Sequence, residues 1–123
     1  MAEILAYVAA GLVGLWGVSH AIPTRSVVAG FGDLSTDNRG VLVQEWLAEA
    51  VAMWSFAALV LVVTAVDGAT STAHWVYRVT AVALTVLAAL TALTGARTAV
   101  IWFKICPVLL TTSAALLLMA SVV

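Results

Sequence analysis

The longest apolar run in the sequence reads VLVQEWLAEAVAMWSFAALVLVVTAV and covers residues 41–66. Its only charged side chains are Glu45 and Glu49, and both lie near the beginning of the run. The hydrocarbon core of a bilayer is crossed by a helix of about 20 apolar residues. The length and composition of this run therefore predict a membrane-spanning helix.

Three further apolar runs surround this segment. Short connections join the last three runs, which is typical of helices that pack as antiparallel neighbours. Lipid offers the backbone no hydrogen-bond partner, so each run is expected to be helical, and none shows the alternating pattern of a membrane barrel. The sequence therefore predicts an all-α fold, an integral membrane four-helix antiparallel bundle. Its spans are expected at about residues 4–22, 41–66, 75–93 and 99–123.

The composition of the whole chain supports this assignment. Of its 123 residues, 64% are hydrophobic and 9% are charged, whereas soluble domains carry about 25% charged residues. This balance excludes a soluble enzyme and a disordered tail. Five basic residues and a net charge of -1 exclude a nucleic-acid binder. The single Cys106 excludes a disulfide scaffold. We expect residues 1–123 to form a single four-span membrane domain whose main partner is the lipid bilayer.

The first run also has an interpretation as a cleaved signal peptide, because Ser19, His20 and Ala21 resemble a small-residue cleavage site. However, the segment before it carries Glu3 and no basic residue, and the run is long for a signal peptide. We therefore expect the first run to be retained as a span.

The segment over residues 23–40 has the composition of a loop. Pro23 is expected to end the first helix. Ser35 or Thr36 is expected to cap the second, with Asp37 in its first turn, where a carboxylate suits the positive helix end. The apolar residues 26–31 are expected to lie in the membrane interface as a short helix or a re-entrant turn.

Basic residues near the span ends predict the orientation. Arg25, Arg39 and Arg97 flank one side of the bundle, and Lys104 lies just inside that side. The opposite side has Arg78 alone. Since basic residues accumulate on the cytoplasmic side, we expect a cytoplasmic loop 23–40 and both termini outside. The predicted location is the plasma membrane or an inner membrane, with several passes.

Ionisable residues concentrate at one level of this bundle. His20 ends the first span, Glu45 and Glu49 begin the second, and Lys104 begins the fourth. Antiparallel threading brings these groups into the same half of the bilayer, where an unpaired charge costs about 3 kcal/mol. We expect them to face inward and to form a polar pocket near the cytoplasmic side, bounded by the first, second and fourth spans.

This set of side chains can divide acid and base roles in an apolar site. The candidate catalytic residues are Glu49, Glu45, His20 and Lys104. Glu49 is the expected acid, and Glu45 or His20 is the expected base. The alternative is an ion pair between Glu49 and Lys104 that only holds two helices together.

Aromatic and polar residues at the same level are candidate ligand-binding groups. Tryptophan rings supply apolar walls and cation–π contacts, although interfacial anchoring is the alternative role for several of them. The candidate ligand-binding residues are Trp16, Trp46, Asn38, Arg39, Trp102 and Phe56.

The function expected from this site is binding of a small lipophilic compound, with acid–base conversion of that compound as one outcome; whether the chain is an enzyme stays open. Two other classes also stay open. One is an accessory or structural subunit of a larger membrane complex, and the other is a small proton-coupled transporter that acts as a homodimer.

We expect neither a cofactor nor a metal ion. The sequence has no Gly-rich phosphate loop, no nucleophile elbow, no CxxC pair and no HExxH segment. Glu45, Glu49 and His20 supply three metal ligands at most, whereas a di-iron bundle site takes about four carboxylates and two histidines.

Overall fold

The computed structural model describes the whole chain, Met1–Val123, which is 85% helical and has no strands. Four helices are long and apolar enough to cross a membrane, so the all-α four-helix fold predicted from the sequence is confirmed. A short helix and a 3-10 turn complete the chain. The elements are α1 (Ala2–Ala21), α2 (Thr24–Ala29), α3 (Thr36–Asp67), α4 (Ser71–Leu93), the 3-10 turn (Gly95–Arg97) and α5 (Ile101–Ala120).

The long helices form a ring in which α1 packs most extensively against α3, and α4 against α5. Contacts of α1 with α5 close the ring, and the contact between α3 and α4 is thinner. Small residues allow α1 to approach α3. A Cβ added at Gly17 would lie 2.7 Å from Nε1 of Trp54, and one added at Gly14 would lie 3.5 Å from Cβ of Ala57. Close backbone approach through such residues is how spanning helices associate without a hydrophobic driving force.

The second spanning helix is longer than its apolar run. It begins at Thr36, and the Ser35 hydroxyl accepts a hydrogen bond from the Asn38 amide at 3.1 Å, so the predicted Ser35 cap is confirmed. At a rise of about 1.5 Å per residue, the 32 residues of α3 span about 48 Å. That length exceeds the roughly 30 Å of a bilayer core. The polar first turns of α3 therefore lie outside the apolar part of the helix.

The bounds of α4 and α5 also differ from the expected spans. The third spanning helix, α4, begins at Ser71 rather than near residue 75, because Thr70 caps it by accepting a bond from the Ala73 amide at 3.2 Å. The fourth, α5, covers Ile101–Ala120 and is shorter at both ends than the predicted segment 99–123. The Thr70 cap sets the start of α4, whereas the predicted spans followed hydrophobicity alone.

The expected short helix in the 23–40 segment is present as α2. It begins at Thr24, two residues earlier than expected, and it packs against α3. The Thr24 hydroxyl donates to the Ala21 carbonyl at 2.6 Å, which joins the end of α1 to the start of α2. Gly32 then turns the chain with a φ of 72°, a conformation that favours glycine. The chain thus reaches the start of α3 within a few residues.

The opposite end of the bundle is held by polar contacts between helices. Thr64 of α3 and Tyr77 of α4 are buried, and their hydroxyls lie 2.8 Å apart. Arg78 donates to the hydroxyl and the carbonyl of Ser121 at 3.2 and 3.0 Å, which fixes the end of α5 against α4. No catalytic candidate lies at this end.

Candidate functional site

The centre of the site is a contact between the last turn of α1 and α3. Nε2 of His20 lies 3.5 Å from a carboxylate oxygen of Glu49, and this is the only ion pair in the chain. The His20 side chain is 8% exposed, whereas that of Glu49 is 38% exposed. The close approach of α1 to α3 at Gly17, one turn earlier, brings the two helices into register here. The pair therefore connects the bundle interior to its surface.

Trp46 fixes the histidine ring. The two rings are stacked, with centroids 4.1 Å apart and planes 15° from parallel. The indole Nε1 donates to the His20 carbonyl at 2.8 Å. Carbonyls in the last turn of a helix lack partners within the helix, so this bond satisfies an otherwise free acceptor. The stacking and the hydrogen bond together restrict the imidazole to one orientation.

Two buried polar atoms in this region have no hydrogen-bond partner, and they are the only such side-chain atoms in the chain. They are Nε1 of Trp16 and Nε2 of His20, which lies near Glu49 without the geometry of a hydrogen bond. Trp16 and His20 are four residues apart and share one face of α1. An unsatisfied buried polar group costs about 1–3 kcal/mol. Trp16 and His20 therefore each keep one nitrogen free for a further hydrogen bond.

The other helices close the site. Cys106 of α5 is buried, lies beside Trp16 and within electrostatic range of Glu49, and its Sγ is 4.0 Å from the Thr91 hydroxyl of α4. The ring of Phe103 meets Trp46 edge-on, with centroids 6.4 Å apart. We call the set of His20, Glu49, Trp16, Trp46 and Cys106 the His20 cluster. All four long helices contribute to it or contact it.

Two predicted catalytic residues lie away from this cluster. Lys104 is exposed and forms no ion pair, so the alternative Glu49–Lys104 contact does not form. Successive helical residues are about 100° apart, and the two-residue step to Cys106 turns α5 by about 200°. With Cys106 facing inward, Lys104 faces outward. Glu45 is also exposed, one turn nearer the helix start than Glu49.

Some of the six predicted ligand-binding residues lie in or near the His20 cluster, and the others lie outside it. Trp16 and Trp46 belong to the His20 cluster, and Phe56 is partly buried against the apolar core. Asn38 and Arg39 are exposed in the first turns of α3, outside the cluster. Trp102 is 62% exposed on the outer side of α5, so it does not line the site.

An open groove lies elsewhere, next to α2. About 550 Å³ of space opens between the end of α1, α2 and the start of α3, and Arg25 and Arg39 form its polar wall. Neither His20 nor Glu49 lines this groove. The predicted pocket between the first, second and fourth spans thus corresponds to a closely packed cluster, and the open space is next to α2.

Thr91 and Phe103 were not predicted from the sequence as part of the site, and Cys106 was not among the predicted site residues. The helical periodicity of the buried positions could have identified these residues. The buried positions of α4 include Leu84 and Ala88, and the next position of that stripe is Thr91. In α5 the buried stripe begins at Cys106, so the same periodicity places the thiol, rather than Lys104, toward the interior.

No three His, Cys, Asp or Glu side chains lie close enough together to hold a metal ion, so the set of Glu45, Glu49 and His20 is not supported as a metal site. No family model, curated protein or solved structure matches the chain. Function therefore has to be inferred from the His20 cluster and its surroundings.

Proposed function

We propose that the protein is a multi-pass membrane protein that binds a small lipophilic compound at the His20 cluster and exchanges a proton with it. The observation that carries this proposal is the buried Nε2 of His20, which lies 3.5 Å from Glu49 and has no hydrogen-bond partner. A polar group of the ligand would supply the missing bond. Nε1 of Trp16 would donate a second bond to an acceptor of the same ligand.

The roles of the two ionisable residues follow from their surroundings. Imidazole and carboxylate groups are the side chains that most often donate or accept a proton in acid–base chemistry. His20 is therefore the group that exchanges a proton with the ligand, and Glu49 compensates the resulting charge. Because Glu49 is the more exposed partner, it also provides the path by which the proton reaches water.

The walls of the site favour an apolar ligand. Trp46 presents an aromatic surface beside the imidazole, Phe103 packs edge-on against Trp46, and the outer faces of the spans are apolar. The two unsatisfied nitrogens have no accessible surface in this conformation, so entry requires movement of a neighbouring side chain. Glu49 lies at the exposed edge of the cluster, and we infer that the ligand enters there.

The proposal is tested by purifying the full chain with its native lipids and identifying co-extracted small molecules by mass spectrometry. We expect at least one lipophilic compound to be enriched with the wild type and lost from Glu49→Gln and His20→Gln. Glu45→Gln is the matched control, since it makes the same change one turn away on an exposed position.

If Glu49→Gln retained every enriched compound, a binding role for the pair would be contradicted. Loss of helical content or of yield in this variant, with no compound on the wild type, would favour a structural pair and an accessory subunit. A proton flux that appears only in reconstituted dimers would favour the transporter.

We further propose that loop 23–40 faces the cytoplasm and both termini face outward, on the basis of Arg25, Arg39 and Arg97 at one end of the spans. Single cysteines at Asn38 and Ala69 test this in a Cys106→Ser background. Ala69 is exposed, and its substitution leaves the neighbouring Thr70 cap of α4 in place. We expect an impermeant reagent outside the cell to label position 69 alone; labelling of position 38 alone would reverse the orientation.

A further inference from the structure

The groove between α1, α2 and α3 carries two arginines whose charges nothing in the chain neutralises. Arg25 follows the start of α2, and Arg39 lies in the first turns of α3. The only ion pair in the chain joins His20 to Glu49, so neither guanidinium has a carboxylate partner. Both side chains border the same space of about 550 Å³. The two charges are therefore available to one anionic ligand.

The rest of the groove is mainly apolar. Its hydrophobic lining residues are Ala21, Ile22, Val28, Val43 and Leu47. A free anion would use only the two guanidinium groups and would leave this surface exposed to water. An amphiphile with an anionic head would cover both parts, and the volume is in the range of about 300–1,000 Å³ that is typical of small-molecule sites.

The depth of the groove matches the border between acyl chains and headgroups. The 20 residues of α1 span about 30 Å, the thickness of a bilayer core, so the end of α1 at Ala21 marks the edge of the hydrocarbon. The apolar part of the groove begins there. Because α3 is longer than the core is thick, its polar first turns carry Arg39 outward to the level of the lipid phosphates.

We propose that this groove binds one anionic phospholipid, with its phosphate between Arg25 and Arg39 and its upper acyl chains against the apolar lining. Arginine presents paired N–H donors that match two oxygens of a phosphate. Basic pockets between spanning helices are a recurrent form of headgroup site. Neither arginine belongs to the His20 cluster, so this site is independent of the proposed acid–base function.

Native mass spectrometry tests the proposal. The full chain in mild detergent is titrated with phosphatidylglycerol or phosphatidylcholine of identical acyl chains, and the affinity of the first bound lipid is measured. We expect phosphatidylglycerol to bind at least about tenfold more tightly. Each of Arg25→Gln and Arg39→Gln should weaken it about fivefold, and the double variant should lose the preference. A preference retained in the double variant would overturn the proposal.

Three controls distinguish a phospholipid site from general charge attraction and from a site for free phosphate. Arg97→Gln removes an exposed charge at the same end of the bundle without touching the groove, and it should leave the preference intact. An equal loss in Arg97→Gln would show that overall charge attracts the lipid.

Val43→Trp fills the apolar lining and keeps both arginines, so it should weaken phosphatidylglycerol binding. Full binding by that variant, or competition by glycerol phosphate as strong as that by the lipid, would overturn the proposal for a lipid.

Discussion

At the scale of single residues, the His20–Trp46 stack is the feature that distinguishes the site from an ordinary helix contact. The indole both covers the imidazole and donates to its backbone carbonyl. A histidine whose only role was to end α1 would require neither the stacking on Trp46 nor the hydrogen bond from its indole. This geometry makes the fluorescence of Trp46 sensitive to the presence of the imidazole, because the two rings are in contact.

The stack predicts a change in tryptophan fluorescence when the imidazole is removed. His20→Gln should alter the fluorescence, and the same substitution made in a Trp46→Phe background should have no further effect, because the stack is already broken. His74→Gln is the control and should leave the fluorescence unchanged, since the ring contact of His74 is with Tyr77. An equal effect of His20→Gln in both backgrounds would show that another contact causes it.

Gly17 is the residue on which the α1–α3 contact depends most directly. A side chain there meets Trp54 at 2.7 Å and Cβ of Met53 at 3.1 Å, so Gly17→Val should cost about 1–3 kcal/mol of stability. Unfolding in a denaturing detergent titration measures this loss. Gly11→Ala is the control, because an added Cβ at Gly11 has no atom within 4 Å, and we expect it to preserve or raise the stability.

At the scale of elements, the apolar runs predicted how many spanning helices there are but not where they begin. The number of spans and the Ser35 cap are confirmed. The early start of α4 at Ser71 was missed, because its first turn is polar and lies outside the apolar run. The predicted alternative pair of Glu49 with Lys104 does not form, because Lys104 lies on the exposed side of α5 and the buried stripe of that helix begins at Cys106.

The cap of α3 can be tested by itself. Ser35→Ala removes the acceptor for the Asn38 amide, and loss of such a cap costs about 1 kcal/mol. Hydrogen exchange should become faster in the first turn of α3 and stay unchanged near Glu49. Ser55→Ala is the matched control, because the Ser55 hydroxyl bonds only to the Val51 carbonyl of its own helix. Equal effects of both substitutions would contradict a specific capping role.

At the scale of the whole molecule, the α3–α4 contact is the thin side of the ring, and the Thr64–Tyr77 hydrogen bond is the one side-chain bond that crosses it. Tyr77→Phe should destabilise the bundle by about 1 kcal/mol. Cross-linking between α3 and α4 should report a looser contact, whereas the α1–α3 contact should be unaffected. Tyr7→Phe is the control, since Tyr7 is exposed on α1. An unchanged stability of Tyr77→Phe would show that apolar packing alone holds this side.

The ring order has a consequence for how the protein is made. α1 is synthesised before α3 and α5, against which it packs, and α5 follows α3 and α4 along the chain. The alanine- and glycine-rich side of α1 therefore faces lipid until α5 has been inserted. We expect nascent chains that stop before α5 to be recognised by membrane quality-control proteases, because α1 still lacks its second neighbour in them.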